Sequence, residues 1–520
     1  MSVVNEEAIR KSTIIYWSSG IVSICGIIFE VLFGALGSYI LGDGVKQYTL
    51  TISLFLTGMG IGASLSEKVM KNLILSFIWV EFSVGLIGGF SSFTMFGITA
   101  YAPAGTDAFY LYFITILVGA LTGFELPILI RKANEIGVKL NKSTARVLFS
   151  DYAGGLIGGL LFVFLLRPQF GMVKSAFLVG CVNVLVALTV LWLFRKEIRK
   201  FLVHAICGIV ILVALIIGLL FGEAAAFNFE QKLYQDPILL MEETNYQKII
   251  LTQGADEDVR LYLNGSLQFS SADEYRYHEV LVHPTIAYAE NPEKVLILGG
   301  GDGIAAKEVL KYDEVKHITL VDLDPAMTEL ANTNERLLKL NEGALQNDKV
   351  DVKNMDAFQF LEESEEWYDV IIIDLPDPND ESLNKLYTKE FYSLVRNHLL
   401  PGGAAMIQAT SPVFATEVYW TIAETVISAG LYTENLHVDV PSFGNWGFVM
   451  ASRGKIDLQT VDITIPTRFL KTDLLPSLTA FGADEDSIIE DKNGDSVTLK
   501  PNTLIDPHLI QLYENAWKNY

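Results

Sequence analysis

Over the first 222 residues, apolar positions run together instead of alternating with polar ones. Seven stretches, near 13–41, 48–66, 73–101, 108–130, 149–167, 175–194 and 201–221, reach or approach the roughly 20 residues with which a helix crosses hydrocarbon. The pattern predicts a seven-helix transmembrane bundle over 1–222. Gly58, Gly60 and Gly62, and again Gly154, Gly155, Gly158 and Gly159, put small residues at helical spacing. Such residues let backbones approach where no hydrophobic effect draws helices together. Glu30, Glu81, Glu125 and Asp151 fall within or at the ends of these stretches. A carboxylate in hydrocarbon is costly, so each is expected to face the bundle interior, either as a polar contact or on a substrate path. The start, MSVVNEEAIRKS, has no compact signal peptide, and the apolar run after it is too long for one, so it is expected to stay as an anchor.

From 223 onward the period changes. Segments 246–252 and 258–264 read as strands, and Asn264-Gly265 marks a hairpin before Leu267-Gln268-Phe269. A small β-hairpin subdomain is therefore expected over 223–290. Apolar runs at 295–300, 317–324, 349–356, 368–376 and 404–410 then alternate with helical segments, which predicts a Rossmann-like, doubly wound α/β domain over 291–520. Within it, 470–505 is polar and acidic and reads as a loop excursion, and 508–517 as a closing helix.

Composition sharpens the division. The 520 residues are 51% hydrophobic, with a mean hydropathy of +0.34, too apolar for an ordinary soluble enzyme. Residues 1–222 carry 16 Lys/Arg against 11 Asp/Glu, and the rest 22 against 50. So acidic a second half disfavours nucleic acid and draws cationic ligands. With residue 1 in the cytoplasm, the inner loops hold 13 basic residues and the outer ones three, Lys46, Arg167 and Lys174, an arrangement that obeys the positive-inside rule. Seven spans would then carry the second half across, and the side on which it works stays open. Cys25, Cys181 and Cys207 lie in apolar segments, so neither a disulfide framework nor a thiolate metal site is expected.

The candidate chemistry sits at predicted strand ends. Gly299-Gly300-Gly301-Asp302-Gly303 follows the first strand, and its carboxylate suits a cation where a pyrophosphate would be repelled. Asp302 could alternatively cap the next helix. Asp322, about twenty residues on, suits ribose hydroxyls, while Asp324, followed by Pro325, reads as a helix cap. Asp356 stands where an adenine amino group would lie. Acidic groups at three successive strand ends describe adenosine bound without phosphates, a sulfonium nucleoside rather than NAD or ATP. On the fourth strand's turn, Asp374 and Asp377 could hold an ammonium group and take its proton; a turn-and-cap role is the other reading. His283 and His437 read as packing or surface residues.

Together these motifs resemble the spermidine synthase (polyamine aminopropyltransferase) family over about 236–455. They comprise Tyr246-Gln247, Asn264-Gly265 with Gln268, the Asp273-Glu274-Tyr275-Arg276-Tyr277-His278-Glu279 segment, the glycine loop with Asp302, and Asp374-x-x-Asp377-Pro378. The apolar half is similar, more loosely, to transporter-like regions fused to some members. The resemblance implies that Gln247, Asp322, Asp356 and Ala357 hold the nucleoside of decarboxylated S-adenosylmethionine, a co-substrate, with no separate cofactor or metal. It implies that Asp302 grips the donor's ammonium, Tyr277 and His278 line the amine channel, Asp374 is the general base, and Asp377 positions the acceptor. The expected reaction is aminopropyl transfer to putrescine, giving spermidine and methylthioadenosine, in a multi-pass protein of the cell membrane. Its partners are then a small amine, a sulfonium nucleoside and the bilayer, with self-association by resemblance. The alternatives are the same chemistry on another, membrane-delivered amine, a polyamine transporter or sensor whose second half only binds, and methyl transfer, against which Asp302 argues. Three departures stand out: Asp322 in place of the family's usual Glu, Leu375-Pro376 between the paired aspartates, and a shortened 441–446 loop in which Phe443 lacks a hydroxyl.

Overall fold

The computed structural model describes residues 2–42, 44–103, 105–136, 140–244, 246–379, 381–487 and 498–517. Part of the expected 470–505 excursion, 488–497, lies outside them. The chain divides into two units, 1–235 and 236–520.

The first unit is helical: α1 (Ser2–Leu41), α2 (Gly44–Ser66), α3 (Leu73–Tyr101), α4 (Thr106–Glu135), α5 (Leu140–Leu161), α6 (Arg167–Leu193) and α7 (Phe201–Glu230). Among the described residues six continuous helices are long and apolar enough to cross a membrane; the fifth, Thr144–Leu193, is 50 residues long. At 1.5 Å per residue it would run about 75 Å, more than twice a hydrocarbon core. It breaks at Gly171 (φ 63°, ψ −174°), and its halves pack in opposite senses. Gly154 and Gly158 of α5 meet Gly20 and Ile24 of α1 in parallel order, while Gly85 and Gly89 of α3 meet Asn183 and Ala176 of α6 in reverse order. Both α1 and α3 run against α4, as Gly26 and Gly37 against Thr122 and Leu111 show for the first, and Tyr110 bonded to the Ser91 carbonyl for the second. The two stretches read separately from the sequence are thus one helical run that turns back. Contact in this unit depends on glycine: a Cβ on Gly62 would lie 1.8 Å from the Ala120 carbonyl oxygen, and one on Gly123 2.1 Å from that of Met59.

The second unit opens with an antiparallel sheet in sequential order, β1 (Ile238–Glu243), β2 (Lys248–Gln253), β3 (Val259–Leu263) and β4 (Ser266–Ser270). Asn264 and Gly265 both have positive φ, 51° and 85°, the turn that matches strand twist. Then follow α8 (Glu274–Tyr288), β5 (Lys294–Gly299), α9 (Ile304–Val309), β6 (His317–Asp322), α10 (Pro325–Thr333), α11 (Glu335–Asn341), β7 (Val350–Asn354), α12 (Ala357–Glu363), β8 (Tyr368–Asp374), α13 (Glu381–Asn384), α14 (Lys389–His398), β9 (Leu399–Gln408), α15 (Thr416–Ser428), β10 (Tyr432–Val440), β11 (Gly444–Ser452), α16 (Leu475–Leu478) and α17 (Leu509–Trp517). Strands β5 to β11 form a seven-stranded sheet ordered β10-β11-β9-β8-β5-β6-β7, in which β11 is antiparallel to both its neighbours, β10 and β9, and the other pairs are parallel.

Burial explains the continuous apolar runs. On β5, Val295 and Ile297 join one core and Leu296 and Leu298 the other; on β8, Val370 and Ile372 oppose Ile371 and Ile373 in the same way. A parallel sheet covered on both faces needs apolar side chains at every position. The sheet order reverses beside β5, so the carboxyl ends of β5, β6 and β8 open on a crevice. Strands β1, β10 and β11 were not anticipated.

Candidate active site

The glycine loop after β5 is shaped by what lies beside it. A Cβ on Gly299 (φ 85°) would sit 2.0 Å from the Asp374 carbonyl oxygen, and one on Gly301 2.5 Å from Asp322 Oδ2. The bare loop can instead donate: Gly301 N–H reaches Asp322 Oδ2 at 3.0 Å, and Gly300 N–H reaches the Asp374 carbonyl at 3.2 Å. Three strand ends are thereby stitched into one wall. A cleft of about 490 Å³ opens there, and all nine residues proposed from the sequence line it: Gln247, Tyr277, His278, Asp302, Asp322, Asp356, Ala357, Asp374 and Asp377.

One part of the cleft centres on Asp374. Tyr277 donates to its Oδ1 at 2.6 Å, and burial, together with Asp374 itself, drives the phenol well above its ordinary range, so it remains a donor. His278 packs against Tyr277, with ring centroids 5.0 Å apart, and its Nδ1 is 3.0 Å from Glu274 Oε2. Burial disfavours its charge, but the Glu274 bond and the Glu274, Asp302 and Asp374 carboxylates prevail and push it up to about 9. Asp302 accepts from Ile304 N–H at 2.8 Å, so the capping bond exists. Enclosure raises this carboxyl to about 6; His278 and the Ile304 N–H pull it down, while Asp374 adds to the rise.

The part around Asp322 and Asp356 is more tightly engaged. Besides the Gly301 bond, Asp322 accepts from Asp324 N–H at 2.9 Å; burial raises it to about 6 against those two donors. Asp324 caps α10 through Ala326 N–H at 3.1 Å, as Pro325 indicated, and also holds Gln247 Nε2 at 3.0 Å and Thr244 Oγ1 at 2.8 Å. Asp356 caps α12 through Phe358 and Gln359 N–H, and its second oxygen lies 2.5 Å from Lys385 Nζ. Ala357 begins that helix.

Asp377, like Asp356, takes three hydrogen bonds. Gln408 Nε2, Thr410 Oγ1 and Tyr513 Oη each donate to it at 2.9 Å. Burial raises its carboxyl against these donors. Sequence reasoning missed Gln408, Thr410, Tyr513, Trp446 and Trp517, all near or in the cleft wall. Thr410, just past β9, could have been found by extending the strand-end rule one strand further; Tyr513 and Trp517 carry no local signal. Phe443 and Trp446, with centroids 5.4 Å apart, form an apolar wall beside Tyr277.

Outside the cleft, the ligand atoms of Glu279, His283 and Glu308 lie within 4.8 Å of one another, but protein groups already engage them. Glu279 accepts from the N–H groups of Arg468, Phe469 and Leu470. Glu308 lies 3.0 Å from His283 Nε2 and 2.5 Å from Lys311 Nζ. Those partners outweigh its burial and hold it down to about 2.

The chain is similar to known proteins of one family. Residues 274–462 match the Spermine/spermidine synthase domain. A polyamine aminopropyltransferase of Oceanobacillus iheyensis is 76% identical over 518 residues, covering 100% of both chains. One of Leptospira interrogans is 41% identical, covering 97% of this chain and 99% of its own. A solved spermidine synthase, in complex with the transition state analogue AdoDATO, aligns with 47% of this chain and 85% of its own at 24% identity and a TM-score of 0.45. The chain belongs to the polyamine aminopropyltransferase family and is an enzyme of that class.

Proposed function

We propose that this enzyme moves the aminopropyl group of decarboxylated S-adenosylmethionine to putrescine, giving spermidine and methylthioadenosine, and that it is a multi-pass protein of the cell membrane. The observation that carries the reaction is that Asp302, Asp322 and Asp374 converge on one cleft, with Tyr277 hydrogen-bonded to Asp374. In this reading Asp322 and Gln247 seat the nucleoside, with Asp356 and Ala357 at the adenine end, and Asp302 takes the donor's ammonium. The acceptor's ammonium gives its proton to Asp374. The freed lone pair then attacks the methylene beside the sulfonium, the C–S bond breaks, and its electron pair stays on sulfur as a neutral thioether. The new secondary ammonium carries the charge. Alignment, a base and a dry cleft suffice for such a displacement, so no cofactor is assigned. The helices of suitable length and composition support the membrane assignment.

A second acceptor is favoured by one feature of the cleft. Asp377 is saturated by Gln408, Thr410 and Tyr513, and the neighbouring wall of Phe443 and Trp446 is apolar. An amine with a longer or more apolar body than putrescine fits that end. Purified full-length protein given the decarboxylated donor and a mixture of amines, with products read by mass spectrometry, tests both readings. Methylthioadenosine with spermidine supports the first, methylthioadenosine with another product supports the second, and no aminopropyl product from any amine removes both.

A further inference from the structure

The helical unit holds a cavity of about 260 Å³ between α1, α2, α4 and α5. Two carboxylates line it, Glu125 from α4 and Asp151 from α5. Glu125 is 5% exposed, and beside it the hydroxyl of Thr122, also in the wall, is buried with no hydrogen-bond partner. Behind Glu125 stands Glu81, 0% exposed, with no donor on either oxygen. The two cations of α4 are committed elsewhere: Arg131 caps the end of α2 through the Ser66 and Val69 carbonyls, and Lys132 pairs with Glu135 and Glu197.

Two acidic groups on one cavity, Glu125 buried and Asp151 half-buried, with no basic partner among the described residues, call for a cationic ligand. A divalent ion would want six or more oxygens, and so every side-chain oxygen of Ser19, Thr122, Glu125 and Asp151 at once. Most of the wall is apolar, Val22, Met59 and Leu126 among it, and so matches methylenes. We propose that this cavity binds an alkylammonium, a short methylene chain bearing one or two protonated amines. Its charged end meets Glu125 or Asp151, an N–H reaches the Thr122 hydroxyl, and its carbon body lies on the apolar wall. This site is distinct from the catalytic cleft and does not depend on the acceptor assigned there.

The test is equilibrium dialysis of full-length protein in lipid nanodiscs with radiolabelled 1,4-diaminobutane, comparing wild type with the double variant E125Q/D151N. The double variant is expected to bind one equivalent per chain fewer, while aminopropyl transfer, assayed in parallel, reports on the cleft separately. Equal stoichiometry in the two proteins overturns the proposal. If the double variant does not fold, Thr122→Val decides: losing one hydrogen bond should weaken this class of site about fivefold, and unchanged affinity overturns the proposal.

Discussion

In the helical unit, Glu81 is fully buried with no donor on either oxygen; in the α/β unit, Glu279, 1% exposed, takes three backbone N–H groups from 468–470. Between these extremes lie Asp302 and Asp374, each taking a single hydrogen bond to its carboxylate among the described residues. The series separates what a carboxylate does by how many donors it already has. A saturated one is a joint, and removing it orphans its partners. A half-served one has an oxygen left for a ligand. One with none must hold a proton or meet a cation. Asp302 and Asp374 therefore belong to the middle of the range, and Glu81 to its unserved end.

The hardest test of this ranking is Asp374→Asn. Loss of a general base costs typically 10²–10⁴-fold, so kcat for methylthioadenosine formation should fall by about that much with thermal stability retained. Glu81→Gln should leave that rate unchanged; an equal loss there would erase the distinction between the two units. Next comes Glu279→Ala. Orphaning three N–H groups, that of Leu470 buried and those of Arg468 and Phe469 half-buried, should cost on the order of 3 kcal/mol, seen as a lowered melting temperature of the α/β unit, and Glu279→Gln, which keeps an acceptor, should recover part of it. An unshifted melting curve for Glu279→Ala would mean that 468–470 is held by other contacts.

A smaller effect follows from pH. Asp302 must be ionised to hold an ammonium, and enclosure sets its carboxyl near 6. Its useful form is present above that value and is lost as pH falls through it. The pH profile of kcat/KM should bend near 6 and drop about tenfold per unit below it. Asp322, also near 6, would steepen the fall. His278, near 9, stays charged across this range and does not contribute to it. An acid limb first appearing near 4, the ordinary carboxylate range, would show that the cleft is wetter than its lining implies.

Sequence period alone exposed most of the parallel sheet, because a strand buried on both faces must be apolar at every position, as β5 and β8 are. The acids at their ends were legible for the same reason, since they interrupt an apolar run at a fixed edge. What stayed hidden depends on contacts between distant segments. Tyr513 reaches Asp377 across 136 residues, and the 468–470 strap reaches Glu279 across about 190; nothing in local spacing reports either. The apolar runs of the bundle were equally plain, but not how they join: the break at Gly171 lies inside one continuous helical run.

The gentlest test concerns one of those hidden contacts. Tyr513 stands on α17 and is one of three donors to Asp377; burial and Asp377 raise its phenol, so it keeps its proton and donates. Tyr513→Phe preserves the ring and its packing against Trp517, 5.9 Å away, while Thr410 still serves the same carboxylate oxygen. The loss should therefore be that of one hydrogen bond, about 1 kcal/mol or fivefold. It should appear in KM for the amine and leave KM for the sulfonium donor in place, because Asp377 borders Asp374 and not the nucleoside end. A purely structural α17 would instead lower melting temperature without separating the two constants. If donor KM moved and amine KM did not, Asp377 would have to be reassigned from the amine side of the cleft to the nucleoside side.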